Sequence, residues 1–320
     1  MRSPTQRSLI LDDVAAIVRS GLGSGVRDGA ELTGGGFATV WRVTLDSGDQ
    51  VVVKVGPPPQ ARLLGYEKNV LAAEAEYFRL VRERVPGVPV PLVLATSEAG
   101  AEPAWLITTL LPGRALTEGD SPQARRQLGA ALARVHTVTG PHFGYTGDRP
   151  SGDSWPAVFA AMLDQLRADA AHWNVPLPPL DGLVARYHDA LAEVTRPALL
   201  HWDLWDGNVL VAPDGSLSGV VDGERYLYGD PLLDLVSPAL FRRIEEEPGH
   251  PFLAGYARTE PWDRPALVRM ALYRIHLYTL MLTEGPSRGI PADGERHDYL
   301  TTLLTDELKH LDAGAGRWTS

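Results

Sequence analysis

The chain has 320 residues, 44% hydrophobic and 22% charged, the composition of an ordinary soluble globular protein. Its formal charge of -10 argues against duplex nucleic acid as a partner, because binding it requires Lys and Arg to displace counterions. The absence of cysteine excludes disulfides and thiolate zinc sites, and no apolar run is long enough to span a membrane or serve as a signal peptide, so a cytoplasmic, non-membrane protein is expected.

At this length two lobes are expected. In chain order, residues 12–19 predict a short amphipathic helix stopping at Gly21. Residues 21–29 predict a loop. Their Gly21-Leu22-Gly23-Ser24-Gly25 run follows a helix rather than a strand, so it is not a dinucleotide fingerprint. Residues 31–55 predict a glycine-interrupted strand pair, a turn at 46–49 and a third strand, QVVVKVG. Pro57-Pro58-Pro59 breaks the chain. Residues 66–84 predict a helix with Leu71, Glu74, Phe78 and Val81 on one face. VPVPLVLAT and AWLITTLL predict two more strands, and Leu111-Pro112-Gly113 ends the sheet region. Downstream, helices are expected over 121–137, 154–172, 181–195, 231–247, 264–284 and 294–312. The expected fold is α+β and bilobal. Residues 1–111 form an antiparallel sheet lobe with one main helix, and residues 112–320 form a larger, mostly helical lobe.

Residues 199–222 read LLHWDLWDGNVLVAPDGSLSGVVD. Asp203 precedes Asn208 by five positions. A strand, a Pro213-Asp214-Gly215 turn and a return strand then lead to Asp222. Antiparallel pairing about that turn brings Asn208 and Asp222 together, with Asp203 in the loop just before. Phosphoryl transfer from ATP needs this set: one carboxylate to orient and deprotonate a hydroxyl, and an Asn and a second carboxylate to hold magnesium. His201 has no second histidine at ligand spacing and reads as a structural residue bonded to the loop backbone. Asp206 reads as a loop cap or a solvent-facing acid. Asp230 reads as the cap of a helix starting at Pro231, and Asp234 as its anchor to the catalytic loop.

The sheet lobe supplies matching features. Gly34, Gly35 and Gly36 sit between two strands, where glycines let the backbone approach phosphates. Lys54 lies within VVVKV, on the strand face opposite Val51, Val53 and Val55. A buried lysine needs a partner, and Glu74 shares the apolar stripe of the following helix whereas Glu76 faces solvent. No G-x-x-x-x-G-K-[ST] run occurs, which excludes a P-loop. The Trp and Tyr residues of 262–284 read as core packing.

Together GGGFATVWRV, VVVKV, Glu74, LITTLLPG, HWDLWDGNVLV and VVDGERYLYGDPLLDL resemble the aminoglycoside phosphotransferase family. These are small-molecule kinases with a protein-kinase-like fold, and they include choline, homoserine and fructosamine kinases. The likeness spans residues 31–240. It implies Asp203 as catalytic base, Asn208 and Asp222 as magnesium ligands, and Lys54 paired with Glu74 on the α- and β-phosphates of ATP or GTP. It also implies that Gly34 to Phe37 cover the nucleotide and that the backbone from Thr109 to Leu111 binds adenine. Protein kinases fit less well, since D-F-G and A-P-E are missing.

Two positions depart from the family pattern. Trp202 stands where a small residue is common, and Gly223 where an aromatic is common. The paired size change suggests that bulk at 202 replaces bulk lost at 223. The implied acceptor is a small hydroxylated, cationic molecule, an aminoglycoside-like antibiotic or aminosugar first, which points to antibiotic resistance. Its amines would meet acids such as Glu224, Glu284 and residues 245–247. A metabolic kinase of fructosamines, sugars or amino alcohols is the second reading, which the DLWxGN string favours. An inactive nucleotide-binding module is the third. The sequence fixes no oligomeric state.

Overall fold

The computed structural model describes residues 2–258 and 261–317. Helix α1 (Leu11–Leu22) runs past the expected stop at Gly21 and is ended by Gly23, whose N–H returns to the Arg19 carbonyl. Strand β1 (Val26–Leu32) starts inside the stretch expected as a loop. Its polar sequence alternates poorly. It is ordered by pairing along β2 (Thr39–Leu45), from Val26 opposite Leu45 to Leu32 opposite Val40. Cross-strand pairing overrides a weak local preference there. Then come β3 (Gln50–Val55), α2 (Val70–Arg84), β4 (Val93–Thr96) and β5 (Trp105–Thr109). The five strands form one antiparallel sheet in the order β1-β2-β3-β5-β4.

Strand alternation sorts the two faces of that sheet. Val51, Val53 and Val55 pack with Trp41, Val43 and Ile107 against Val14 and Val18 of α1. Lys54 and Leu106, opposite each other across β3 and β5, face the other way, and Leu106 meets Leu71 and Ala75 of α2. Helix α2 begins at Val70 rather than near Tyr66 because the preceding residues are drawn toward the second lobe. There the Gly65 N–H bonds Asp169 at 2.9 Å, and Arg62 bonds the His172 carbonyl at 3.1 Å.

Beyond the five-stranded sheet come β6 (Arg114–Ala115), α3 (Pro122–Val135), β7 (Phe143–Gly144), β8 (Ser151–Gly152) and α4 (Trp155–His172). The helix expected over 181–195 is instead two short pieces, α5 (Leu183–Arg186) and α6 (His188–Ala192), which meet at Tyr187. Strand β9 (Ala198–Leu200) leads into the motif loop. The hairpin follows as β10 (Val209–Val211) and β11 (Leu217–Val220), then β12 (Leu227–Gly229).

The helix expected over 231–247 does not form. Only one 3-10 turn, Pro231–Leu235, and a second at Ile244–Glu246 are present. Pro238 disfavours helical backbone at the residue before it and lacks an N–H of its own. Helices α7 (Pro251–Tyr256), α8 (Arg264–Ser287) and α9 (Glu295–Arg317) finish the chain. Helix α8 is buried along most of its length, with apolar residues all round rather than in one stripe. Its Tyr273 and Tyr278 lie in the core, as read from the sequence, and the Trp155 indole donates to the Tyr273 hydroxyl at 2.8 Å. Among the described residues, no helix is long and apolar enough to cross a membrane.

Candidate active site

Lys54 leaves the sheet on the α2 side. Its ammonium lies 2.6 Å from Oε1 of Glu74, which is 1% exposed, and also pairs with the Asp222 carboxylate. Burial pulls the Lys54 ammonium down, but Asp222, Glu74 and Glu224 outweigh it and hold the group above its ordinary value. Burial also pushes Glu74 up, only partly offset by Lys54, whereas Lys54 holds Asp222 below the usual carboxylate range despite burial. Glu76 is exposed, so of Glu74 and Glu76 it is Glu74 that meets the lysine.

The loop before the hairpin is built on Asp234. This side chain is fully buried and accepts the His201 N–H at 2.8 Å and the Trp202 N–H at 2.6 Å. Asp230 caps the turn beside it through the Leu232 N–H, as expected. His201 Nδ1 accepts the Asp203 N–H at 3.2 Å, so Nε2 carries the proton and donates to the Val221 carbonyl at 3.0 Å. The imidazole is therefore neutral, and burial lowers its pKa in keeping with that. It ties the loop before the hairpin to the residue that follows the return strand, and both ring nitrogens are used.

Asn208 donates from Nδ2 to the Asp203 carbonyl at 2.9 Å and to its carboxylate at 3.1 Å, which leaves the amide oxygen for another partner. The Val221 N–H bonds the Asn208 carbonyl at 3.1 Å, and Asp222 follows at φ 60°, turned toward Lys54. Asp203 is 18% exposed and lies 3.6 Å from Arg225. Burial pushes its carboxyl up, while Arg225 and then His201 pull it down, and the net direction is up.

A third acid joins this spot. Carboxylate oxygens of Glu74, Asp222 and Glu224 lie within 4.8 Å of one another. Burial, then Asp222 and Glu74, push Glu224 well above its ordinary range, and its buried Oε2 has no hydrogen-bond partner. The orphaned Glu224 oxygen with Asp222 nearby, and the Asn208 amide oxygen left unpaired by its contacts to Asp203, are hard-oxygen donors of the kind that suits magnesium.

Gly34, at φ 114°, opens the glycine loop. The N-terminal segment holds its carbonyls: Thr5 donates to Gly36 at 2.9 Å, and Gln6 to Gly35 at 3.0 Å and Ala38 at 3.1 Å. Phe37 stacks under the Arg288 guanidinium at 5.0 Å. Thr109 ends β5 with its N–H on the Leu92 carbonyl and its hydroxyl accepting the Leu92 N–H. Its amide is thus used by the sheet, and Leu111 in the connector beyond it packs near Gly219.

Several readings need correcting. Of the acids offered to substrate amines, Glu284 and those of 245–247 are engaged with arginines, whereas Glu224 is not. Glu245 is bidentate on Arg274, Glu246 pairs with Arg243, Glu247 with Arg242, and Glu284 with Arg225 at 2.7 Å. Asp206 is neither a cap nor a free acid, since both its oxygens hold Arg125 at 2.8 and 2.6 Å. Trp202 does not fill the space at Gly223. A Cβ there would lie 2.3 Å from the Tyr77 ring, so α2 supplies that bulk, while the fully buried Trp202 ring packs on His276. The sequence reading missed Arg225, although it directly follows Glu224. It also missed Arg288 beside Phe37, its partner Glu67, and Tyr66, whose hydroxyl bonds Glu284, because no local spacing links these residues to the motif loop.

A family model described as the phosphotransferase enzyme family matches residues 29–272, about three quarters of the chain. The chain belongs to this family. It is a phosphotransferase that acts on hydroxyl groups of small molecules.

This phosphotransferase is 28% identical over 263 residues to "Probable ketoamine kinase YniA" of Escherichia coli (strain K12), covering 78% of this chain and 84% of that one. It is 29% identical over 283 residues to "Probable ketoamine kinase TTHA1179" of Thermus thermophilus, covering 85% and 92%. Among solved structures, a candidate fructosamine-3-kinase from Thermobifida fusca YX-ER1 matches with a TM-score of 0.68 and 23% identity, covering 94% of this chain and 100% of that one. A thermostable mutant of aminoglycoside phosphotransferase APH(4)-Ia, in a ternary complex with AMP-PNP and hygromycin B, matches with a TM-score of 0.59 and 18% identity, covering 93% of this chain and 98% of that one. The fold of this phosphotransferase is accordingly the bilobal, protein-kinase-like α+β fold expected from its motifs.

Proposed function

We propose that this phosphotransferase moves the γ-phosphate of ATP, or GTP, to a hydroxyl of a ketoamine. The observation that carries the chemistry is the meeting of Lys54, Glu74, Asp222, Asn208 and Asp203 at one place, drawn from both lobes. In this reading residues 1–111 hold the nucleotide, and residues 112–320 provide the base and the acceptor site. Lys54, fixed by Glu74, steadies the α- and β-phosphates. Gly34 to Phe37 lie over them, and the connector from Thr109 to Leu111 takes the adenine edge. Asn208 and Asp222, joined by Glu224, would hold magnesium, which neutralises phosphate charge when bound.

Asp203 accepts the acceptor's hydroxyl proton as that oxygen bonds to the γ-phosphorus and the bond to the ADP oxygen breaks. Catalysis is then mostly positioning and charge stabilisation. The ATP supply places the enzyme in the cytoplasm.

The ketoamine reading takes precedence over an aminoglycoside-like antibiotic for two reasons. The relatives above carry ketoamine-kinase names, and all the acids read as meeting several substrate amines except Glu224 already hold arginines. A ketoamine presents one amine and several hydroxyls.

The test is ADP release with magnesium and ATP across fructosamines, aminoglycosides, aminosugars and choline, with Asp203→Asn as the blank. We expect fructosamine-dependent release that falls at least about 100-fold in the variant, with nucleotide binding retained. Release driven by aminoglycosides alone would replace the substrate class. Nucleotide binding without any acceptor-dependent release would favour an inactive nucleotide-binding module.

A further inference from the structure

Arg288 lies just beyond α8 and reaches the glycine loop from the opposite lobe. A Cβ on Gly36 would lie 3.5 Å from its Cδ and 3.8 Å from its Nε, and the guanidinium sits 5.0 Å from the Phe37 ring centre. The side chain is 11% exposed. At Nη2 it pairs with Glu67 and stands 3.8 Å from Glu284, while Nη1 donates to the Ser287 hydroxyl at 3.0 Å. Glu67 is 2% exposed and is itself fixed by the Leu64 N–H at 2.8 Å. Glu284 also holds Arg225 at 2.7 Å, and Arg225 reaches Asp203 at 3.6 Å. One arginine thus touches the loop that covers the phosphates and shares a carboxylate with the surroundings of the base.

We propose that Arg288 binds the γ-phosphoryl group during transfer. This deepens the kinase reading and rests on it. A guanidinium offers five N–H donors in a planar fork. The contacts above engage Nη2 and part of Nη1, and Nε lies 3.8 Å from where a Cβ on Gly36 would stand. Glu67 and Glu284 fix the plane of the group, so its donors are oriented before the nucleotide arrives. As the bond from the γ-phosphorus to the ADP oxygen breaks and the bond to the acceptor oxygen forms, negative charge spreads over the three equatorial oxygens. Arg288 meets part of that charge beside Gly36 and Phe37, while the acceptor's proton passes to Asp203. ADP lacks the group that Arg288 reads, so the arginine discriminates between substrate and product nucleotide.

Arg288→Met alone would strand a buried Glu67 and endanger folding. The test therefore uses the double variant Arg288→Met with Glu67→Gln, alongside Arg288→Lys, and measures ADP and AMP-PNP affinity with magnesium by calorimetry, together with kcat. We expect the double variant to lose at least about tenfold in AMP-PNP affinity and about 100-fold in kcat, with ADP affinity within about twofold of the parent. Arg288→Lys, which keeps the charge but not the fork, should fall between the two. Equal losses for both nucleotides would mark Arg288 as an interlobe latch only and overturn the assignment, as would no loss for either. A parent protein that binds neither nucleotide would overturn the kinase reading and this inference with it.

Discussion

Trp202 shows how one residue joins two opposing costs. Its φ of 65° lies in the left-handed region, which a bulky side chain rarely adopts and which explains why a small residue suits the position. The ring, however, is fully buried against His276. Trp202→Gly relieves backbone strain of about 1–2 kcal/mol but removes a buried indole worth about 3–5 kcal/mol. We expect a net loss of about 2–3 kcal/mol in urea denaturation, with turnover reduced because Asp203 is the next residue. A variant as stable as the parent would show that the ring contributes little to the core. Gly223 makes the complementary point: the room it leaves belongs to Tyr77, from an element about 150 residues earlier in the chain.

At the scale of elements, the turn Pro231–Leu235 supports the motif loop more than a helix would. It aims Asp234 at two successive amides, His201 and Trp202, while its other oxygen contact is His136 Nε2 at 3.1 Å. Asp234→Ala leaves both buried N–H groups without an acceptor, at about 1–3 kcal/mol each. We expect stability to fall by about 3 kcal/mol and kcat by at least about tenfold, read from denaturation and ADP release. Full activity in a destabilised variant would separate the fold of the loop from its chemistry. The anchoring role of Asp234 was legible because an acid follows Asp230-Pro231 in sequence. The failure of the 231–247 helix was not, since the apolar spacing imitates a helix and only Pro238 speaks against it.

Across the whole molecule, burial holds His201, His250 and His276 below the ordinary imidazole value, and this sets an acid limit to stability. Burial pulls His276 down to about 3 from its ordinary 6.5, and His201 shifts in the same direction. In the unfolded chain these histidines take up protons below pH 6.5, while the folded His276 does not until about 3. The unfolded state therefore binds more protons in that window. The contribution of His276 is intact above pH 6.5 and declines as pH falls, by about 1.4 kcal/mol per unit. His276→Phe keeps the ring packing and should flatten the decline between pH 6.5 and 4 by about that amount, measured as urea midpoints. An unchanged slope would mean that His276 is protonated in the folded protein.

Composition, alternation and motif spacing were sufficient for the fold class and for the meeting of Lys54, Glu74, Asp203, Asn208 and Asp222. These properties are written locally: a lysine on one face of a strand, a glutamate on one stripe of a helix, two acids and an amide set by a single hairpin. The pairing of β1, the Tyr77 ring under Gly223 and the engagement of the acids with arginines were decided by tertiary structure. So was the arginine network from Arg288 to Asp203, which joins residues 67, 203, 225, 284 and 288 from separate elements. Such contacts depend on how the two lobes close on each other. Burial and charge pairing take their values only there, because a charge removed from water needs a partner that the local sequence does not supply.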